Sequence, residues 1–217
     1  MKLSPPAKPV QSDKFLERRN ADQKTVIVNG HQLIALPNVY DTSTDTELMA
    51  DIVEINTDET FVEIGCGTGA ITLLVSQRAK SGLGVDINSE AIRNAELNRT
   101  HMNIDNVTLK LSDVFDSVDG SYNVVICNPP YNNYKPVDEV EMMFWDEDDQ
   151  MKRKFFKQVM SHLLPGGKVY FGWGDFEDLD QELPLKLAES AGLTFIKKHA
   201  RLNSKETRTY YVFEFHT

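Results

Sequence analysis

The sequence predicts an α/β fold: a mostly parallel sheet of seven strands with an antiparallel last strand, helices on both faces, and a β-hairpin ahead of it. From Thr44 onward, short apolar runs of strand type alternate with amphipathic helical stretches, the pattern of parallel strands joined by helical crossovers. The final two runs, LTFIKKHA and TYYVFEF, have only the short link SKETR between them, so they pair antiparallel. Ahead of this, Asn29-Gly30 separates two β-type runs in TVIVNGHQLIAL, and both residues tolerate the positive φ of a tight hairpin turn.

Residues 1–11 hold three prolines and few apolar side chains, which reads as a loose tail. SDKFLERRNADQ (12–23) reads as a short polar helix, and the hairpin follows. Residues 1–40 are thus expected to be an extension, and 41–217 the main domain. TDTELMADIVEI places Leu48, Met49, Ile52, Val53 and Ile55 at helical spacing, with Thr44 or Thr46 as the N-cap. The expected order is then strand 61–64, helix 70–79, strand 82–87, helix 89–102, and strands 107–111 and 122–127. A helix over 151–164 carries Phe155, Phe156, Val159, Met160 and Leu163 on one face and ends at Gly166-Gly167. Strand 168–173 and helix 179–191 precede the two closing strands.

The composition bounds the function. At 217 residues, 41% hydrophobic and 26% charged, the chain fits one soluble domain with a short extension. No apolar run approaches the ~20 residues of a membrane span, and the start has no apolar signal core, so no membrane partner is expected. The cysteines, Cys66 and Cys127, sit in apolar strand-to-loop patterns and read as reduced, which favours a cytoplasmic setting. A net charge of −10 argues against a protein that grips bare nucleic acid, because such proteins need a basic surface to displace counterions. The five histidines show no paired metal spacing, so no metal site is expected.

Four strand ends carry chemistry. Glu63-Ile64-Gly65-Cys66-Gly67-Thr68-Gly69 takes an apolar strand into a glycine turn and a helix, letting a ligand lie against bare backbone. The spacing departs from Gly-X-Gly-X-X-Gly of dinucleotide sites. Asp86 before Ile87 ends the next strand, where a carboxylate can accept from two ribose hydroxyls; a helix cap is the plainer alternative. Asp113-Val114 follows the third strand, where the acid can meet an adenine amino group and the backbone N–H a ring nitrogen. After the fourth strand comes Asn128-Pro129-Pro130-Tyr131. The prolines fix the backbone and remove two donors. The Pro129 carbonyl and the Asn128 amide oxygen can then hold an –NH₂ group by its hydrogens, with Tyr131 offering a flat face. Such a site works by positioning, worth several kcal/mol and up to roughly 7–11 in the best cases.

The cofactor motifs resemble those of class I S-adenosylmethionine (SAM) dependent methyltransferases, a Rossmann-like fold, over about residues 40–217. The resemblance implies SAM as cofactor, held by Thr44, Glu63, Gly65, Cys66, Gly67, Gly69, Asp86, Ile87, Asp113, Val114 and Asn128. It implies a catalytic set of Asn128, Pro129 and Tyr131. The Asn-Pro-Pro-Tyr motif resembles the (D/N)PP(Y/F) signature of enzymes that methylate planar or amide nitrogens. Val39-Tyr40-Asp41-Thr42-Ser43-Thr44-Asp45-Thr46-Glu47-Leu48 looks like the segment before the first core helix of HemK-like glutamine methyltransferases. That likeness implies a protein glutamine side chain as acceptor.

The segment after Tyr131 departs from HemK-like proteins, and seven acids fall between Asp138 and Asp149. They form either a solvated loop or a lid attracting a basic substrate. Phe144 and Trp145 beside them, with Pro130 and Tyr131, are the candidate substrate contacts; burial of the two aromatic side chains in the core is equally open. The departure keeps a small-molecule, amino-acid or peptide acceptor in view, and an RNA or DNA base less so. A non-catalytic partner subunit is a further reading, against which the intact motifs argue; a small companion subunit is compatible with either. Lys197, Lys198, His199, Arg201, Lys205 and Arg208 read as a solvated basic face near the final hairpin, with contact to RNA or an acidic protein as the alternative.

Overall fold

The computed structural model describes residue 19, residues 22–176 and residues 179–217. The expected tail, and nearly all of the expected helix over 12–23, lie outside the described residues. Strands β1 (Lys24–Val28) and β2 (His31–Ala35) form the hairpin. Its turn places Asn29 and Gly30 at φ of 49° and 82°, the left-handed pair a tight antiparallel turn requires.

The hairpin is bonded to the rest of the chain by two buried asparagines. Asn94 and Asn98 lie four apart, so both face one side of α3 (Ser89–His101). Their amide oxygens accept from the Leu36 and Ile34 N–H groups, each at 2.8 Å, and both Nδ2 groups donate to the Ile34 carbonyl. Asn98 Nδ2 also reaches the Thr68 carbonyl at 2.9 Å. The free edge of β2 is thereby satisfied, which a buried edge demands, and the glycine turn is tied to the same helix.

The main sheet has the order β5-β4-β3-β6-β7-β9-β8. Its strands are β3 (Thr60–Ile64), β4 (Ser81–Asp86), β5 (Val107–Leu111), β6 (Tyr122–Cys127), β7 (Leu163–Gly174), β8 (Thr194–Leu202) and β9 (Thr209–His216). β3 to β7 run parallel, and β9 is antiparallel to both β7 and β8. This is the expected Rossmann-like seven-stranded sheet. On one face Phe61, Val124, Ile126 and Tyr170 pack against α1 (Thr44–Ile52) and α2 (Ala70–Ser76). On the other, Val62, Ile64, Val125 and Phe171 pack against Phe155 and Phe156 of α5 (Gln150–Gln158) and Ala188 of α6 (Leu183–Ala191). Each fully buried large apolar side chain contributes roughly 1.5–3 kcal/mol. Small α4 (Glu139–Met142) lies in the acidic segment.

Several boundaries differ from expectation. Ser43, not Thr44 or Thr46, caps α1; its N–H donates to the Thr46 hydroxyl at 3.3 Å. α2 stops at Ser76 rather than residue 79, and α6 begins at Leu183 rather than 179. The helix expected over 151–164 ends at Gln158 and continues as a 3₁₀ turn to His162, with Leu163 already pairing with Tyr122. Gly166-Gly167 therefore lies within the β7 span, past the helix end. Pro165 is the physical reason, since it drives the residue before it out of the helical region. Met160 is correspondingly exposed. Both cysteines are free and buried, and burial pushes their thiols up.

Candidate active site

The sheet order reverses between β3 and β6, so the loops leaving those strands diverge and open a crevice at their carboxyl ends. A cavity of about 1480 Å³ occupies that crevice. One side is the glycine turn. Gly65 and Cys66 N–H donate to the Val85 carbonyl at 2.8 and 2.9 Å, and Gly67 N–H donates to Asp86 Oδ2 at 2.9 Å. Gly65 and Gly67 have φ of 79° and 53°, and the space a Cβ would take at either is open. Gly69 differs. A Cβ there would lie 2.9 Å from that of Ala95, and Gly69 does not line the cavity. It packs between the turn and α3, away from the cavity lining.

Asp86 is spoken for on both oxygens: besides Gly67, the Asn88 N–H reaches Oδ1 at 2.9 Å. Burial raises its carboxyl and these backbone bonds oppose the rise. Glu63 is almost wholly buried, takes a hydrogen bond from the Thr72 hydroxyl, and is pushed up by burial to about 8. Ile87 borders the cavity while 42% exposed, an apolar surface at its rim. Val114 sits at φ 51°, a costly conformation for a β-branched residue, held where Ser112 Oγ donates to its carbonyl at 3.0 Å. Asp113 lines the cavity too, but Lys154 holds its carboxylate at 2.8 Å. Thr44 and Cys66 also border it. An open glycine cradle, a strand-end acid and an apolar rim beside Asp113-Val114 fit SAM, a sulfonium-bearing amino acid joined to a nucleoside.

The opposite side carries the Asn-Pro-Pro-Tyr motif. Pro129, Pro130 and Tyr131 line it with Asn128. Asn128 Nδ2 donates to Asp45 Oδ2 at 3.0 Å, and the Tyr131 hydroxyl lies 3.0 Å from the same oxygen and 2.7 Å from Asn128 Oδ1. Tyr40 OH reaches Asp45 Oδ1 at 3.3 Å. Burial, then Asp45, hold the Tyr131 and Tyr40 hydroxyls well above the usual phenol range. Tyr131 packs among Trp173, Phe176 and Tyr210, so less of its face is open than the motif suggested. A Cβ on Gly172 would lie 2.2 Å from Asn128 Oδ1, so β7 must be bare there for the asparagine to sit as it does.

Trp145 is buried against Tyr134, and Phe144 meets the Tyr40 ring edge-on; both border the cavity, so wall and core packing are one arrangement. The acidic segment is partly wall and partly solvated: Glu139 and Asp148 are exposed, and Asp146 alone of its seven acids is buried. Asp146 is buried and bonded to buried Lys152 at 3.0 Å, with Asp149 on the same ammonium at 3.1 Å. Asp148 and Asp149 are both left-handed, at φ of 55° and 56°.

Asp45, Tyr40, Tyr210 and Gly172 carried no site role in the sequence reading. Asp45 does have a signal: it stands on the face of α1 that buries Leu48 and Met49, where an acid needs partners. Lys205 and Arg208 are exposed, as expected of a solvated face, and the β8–β9 turn also brings them to the border of the cavity, with Arg208 over the Phe176 ring at 4.3 Å.

Fold and cavity together define a SAM-dependent methyltransferase. The sequence profile of the methyltransferase small domain family matches residues 31–194, and the chain belongs to that family. It is 29% identical over 150 residues to a Methanocaldococcus jannaschii relative bearing the name protein N5-glutamine methyltransferase, covering 65% of this chain and 75% of the relative. It is 27% identical over 146 residues to a release factor glutamine methyltransferase of Streptococcus pneumoniae, covering 60% of this chain but only 52% of that one, so it spans about half that relative's length. Among solved structures, M. jannaschii TYW2 in complex with AdoMet superposes with a TM-score of 0.61 at 18% identity, covering 90% of this chain and 86% of that one. Among the described residues no helix is long and apolar enough to cross a membrane.

Proposed function

We propose that the chain methylates a planar or amide nitrogen, with a protein glutamine side chain as the acceptor. SAM supplies an electrophilic methyl on a sulfonium. The chain supplies alignment: Asn128 Oδ1 and the Pro129 carbonyl accept from the nitrogen's hydrogens and aim its lone pair toward the glycine cradle. Glu63, Gly65, Cys66, Gly67, Asp86, Ile87, Asp113, Val114 and Thr44 would hold the cofactor, and Pro130, Tyr131, Phe144 and Trp145 would bound the acceptor. The observation that carries the reading is the Asn128–Tyr131 motif facing the glycine turn across one cavity. The names of the two glutamine methyltransferase relatives support the choice of acceptor.

The test is transfer of tritium from labelled SAM into protein extract, RNA and a small-metabolite pool, followed by digestion to locate the label. N-methylglutamine in protein is the expected product. Label in the metabolite fraction would move the acceptor to a small molecule, and label in RNA would overturn both choices. Failure to bind SAM in calorimetry at high micromolar concentration would remove the methyltransferase reading itself.

A further inference from the structure

We propose that Asp45, acting through Tyr131, takes up the proton that the acceptor nitrogen loses on methylation. The inference rests on the reading that Asn128 and Pro129 hold that nitrogen.

The geometry is a closed ring of three contacts. Asn128 Nδ2 lies 3.0 Å from Asp45 Oδ2, Tyr131 Oη lies 3.0 Å from the same oxygen, and Tyr131 Oη lies 2.7 Å from Asn128 Oδ1. Each distance is that of a hydrogen bond, and each bond needs one proton. With Asp45 as a carboxylate, the ring has two protons for three contacts: one from the amide NH₂ and one from the tyrosine hydroxyl. Reversing the amide only moves the gap, since its carbonyl oxygen would then face Asp45 Oδ2. One added proton completes the ring. Placed on Asp45, it donates to Tyr131 Oη, whose own hydrogen donates to Asn128 Oδ1.

The reaction releases that proton. The nitrogen lone pair forms the new C–N bond, and the methyl–sulfur bond breaks with its electrons left on sulfur, which becomes a neutral thioether. The nitrogen, now positive, sheds one N–H proton; an alkylated amide is a strong acid, so a nearby acceptor suffices. The N–H held by Asn128 Oδ1 turns to Tyr131 Oη, 2.7 Å from that oxygen, and its proton passes there as the hydroxyl proton of Tyr131 passes to Asp45 Oδ2. Tyr131 relays and does not ionise, because its hydroxyl is held far above neutrality.

Three other acids bordering the cavity, at the cofactor motifs, are less suited. Glu63 keeps its own proton at neutral pH, being pushed up by burial to about 8. Asp86 is committed to the Gly67 and Asn88 N–H groups, and Asp113 to Lys154. Asp45 is buried, touches Asn128 directly, and among the described residues has neutral groups bonded to it: the Thr46 N–H at 2.9 Å, Asn128, Tyr131 and Tyr40. The Tyr210 hydroxyl also feels the Asp45 charge.

The experiment measures tritium transfer from SAM into protein extract by the full chain and by Asp45→Asn, Asp45→Gly and Tyr131→Phe. Calorimetric SAM affinity and melting temperature are recorded for each. The expected result is a turnover loss of roughly 10²-fold or more in Asp45→Asn, the scale of a lost proton acceptor, with SAM affinity within threefold of wild type. Added formate should restore turnover to Asp45→Gly but not to Asn128→Ala. Asp45→Asn turnover within threefold of wild type, or an Asp45→Gly loss that formate leaves untouched, overturns the proposal. So does a parallel collapse of SAM affinity and melting temperature in all Asp45 variants. A wild-type chain that binds SAM but labels no protein marks failure of the acceptor reading, and the inference falls with it.

Discussion

The two halves of the cavity are built by different means. The cofactor half is made largely of backbone: a glycine turn, its carbonyl partner Val85, and the strand-end acid that pins Gly67. The acceptor half is made of side chains from distant segments, with Asp45 of α1, Asn128 and Tyr131 after β6, and Tyr210 of β9 meeting around one carboxylate. A backbone site tolerates many side-chain changes but depends on conformation. A side-chain site tolerates loop variation but fails when a single orienting contact is lost.

The sharpest way to separate the halves is to disturb Asn128. Asn128→Ala should lower turnover roughly 10²-fold by loss of positioning while SAM affinity holds within threefold. Gly172→Ala should do the same without touching the motif, because its methyl would fall 2.2 Å from Asn128 Oδ1. Single-turnover rates and calorimetry on both variants check this, and equal loss of affinity would merge the two halves into one. Asp86→Ala should show the opposite pattern. Losing one hydrogen bond to a charged group, worth about 1.5–3 kcal/mol, weakens SAM roughly 10- to 100-fold, and saturating SAM should recover most of the turnover.

Glu63 gives a pH-dependent contrast. Its folded-state value of about 8 lies above the ordinary 4.5, so the folded protein keeps a proton that the unfolded chain releases. Stability should fall as pH rises between those two values. Glu63→Gln should flatten that slope, read from urea midpoints on either side of the window. The smallest effect belongs to Gly69→Ala. Its left-handed φ and the close Ala95 Cβ should cost about 1–2 kcal/mol of stability, with SAM affinity unchanged. A loss of affinity would return Gly69 to the ligand.

The same contrast explains what could be read from the chain alone. The cofactor half is contiguous, so glycine spacing and strand-end acids announced it, and the sheet followed from strand–helix alternation. The acceptor half is not. Asp45 lies 83 residues before Asn128, and only the fold joins them. Gly172 looked like an ordinary strand residue because its task is to leave room. Lys205 and Arg208 are solvent-facing, but nothing local says that the β8–β9 turn also borders the cavity. The glycines of the turn look alike in sequence, and only the fold shows that Gly69 alone of them meets Ala95.

The buried Lys152 also bears on how such a protein can change over evolution. Its ammonium holds Asp146 and Asp149, and two prolines stiffen the chain at 129–130. The fourteen residues 132–145, beyond Tyr131, are therefore clipped at both ends, like an exchangeable cassette between fixed terminals. Substitutions or insertions inside the cassette can reshape what enters the cavity without shifting Asn128. A new acceptor preference can arise there while the methyl-transfer machinery stays as it is.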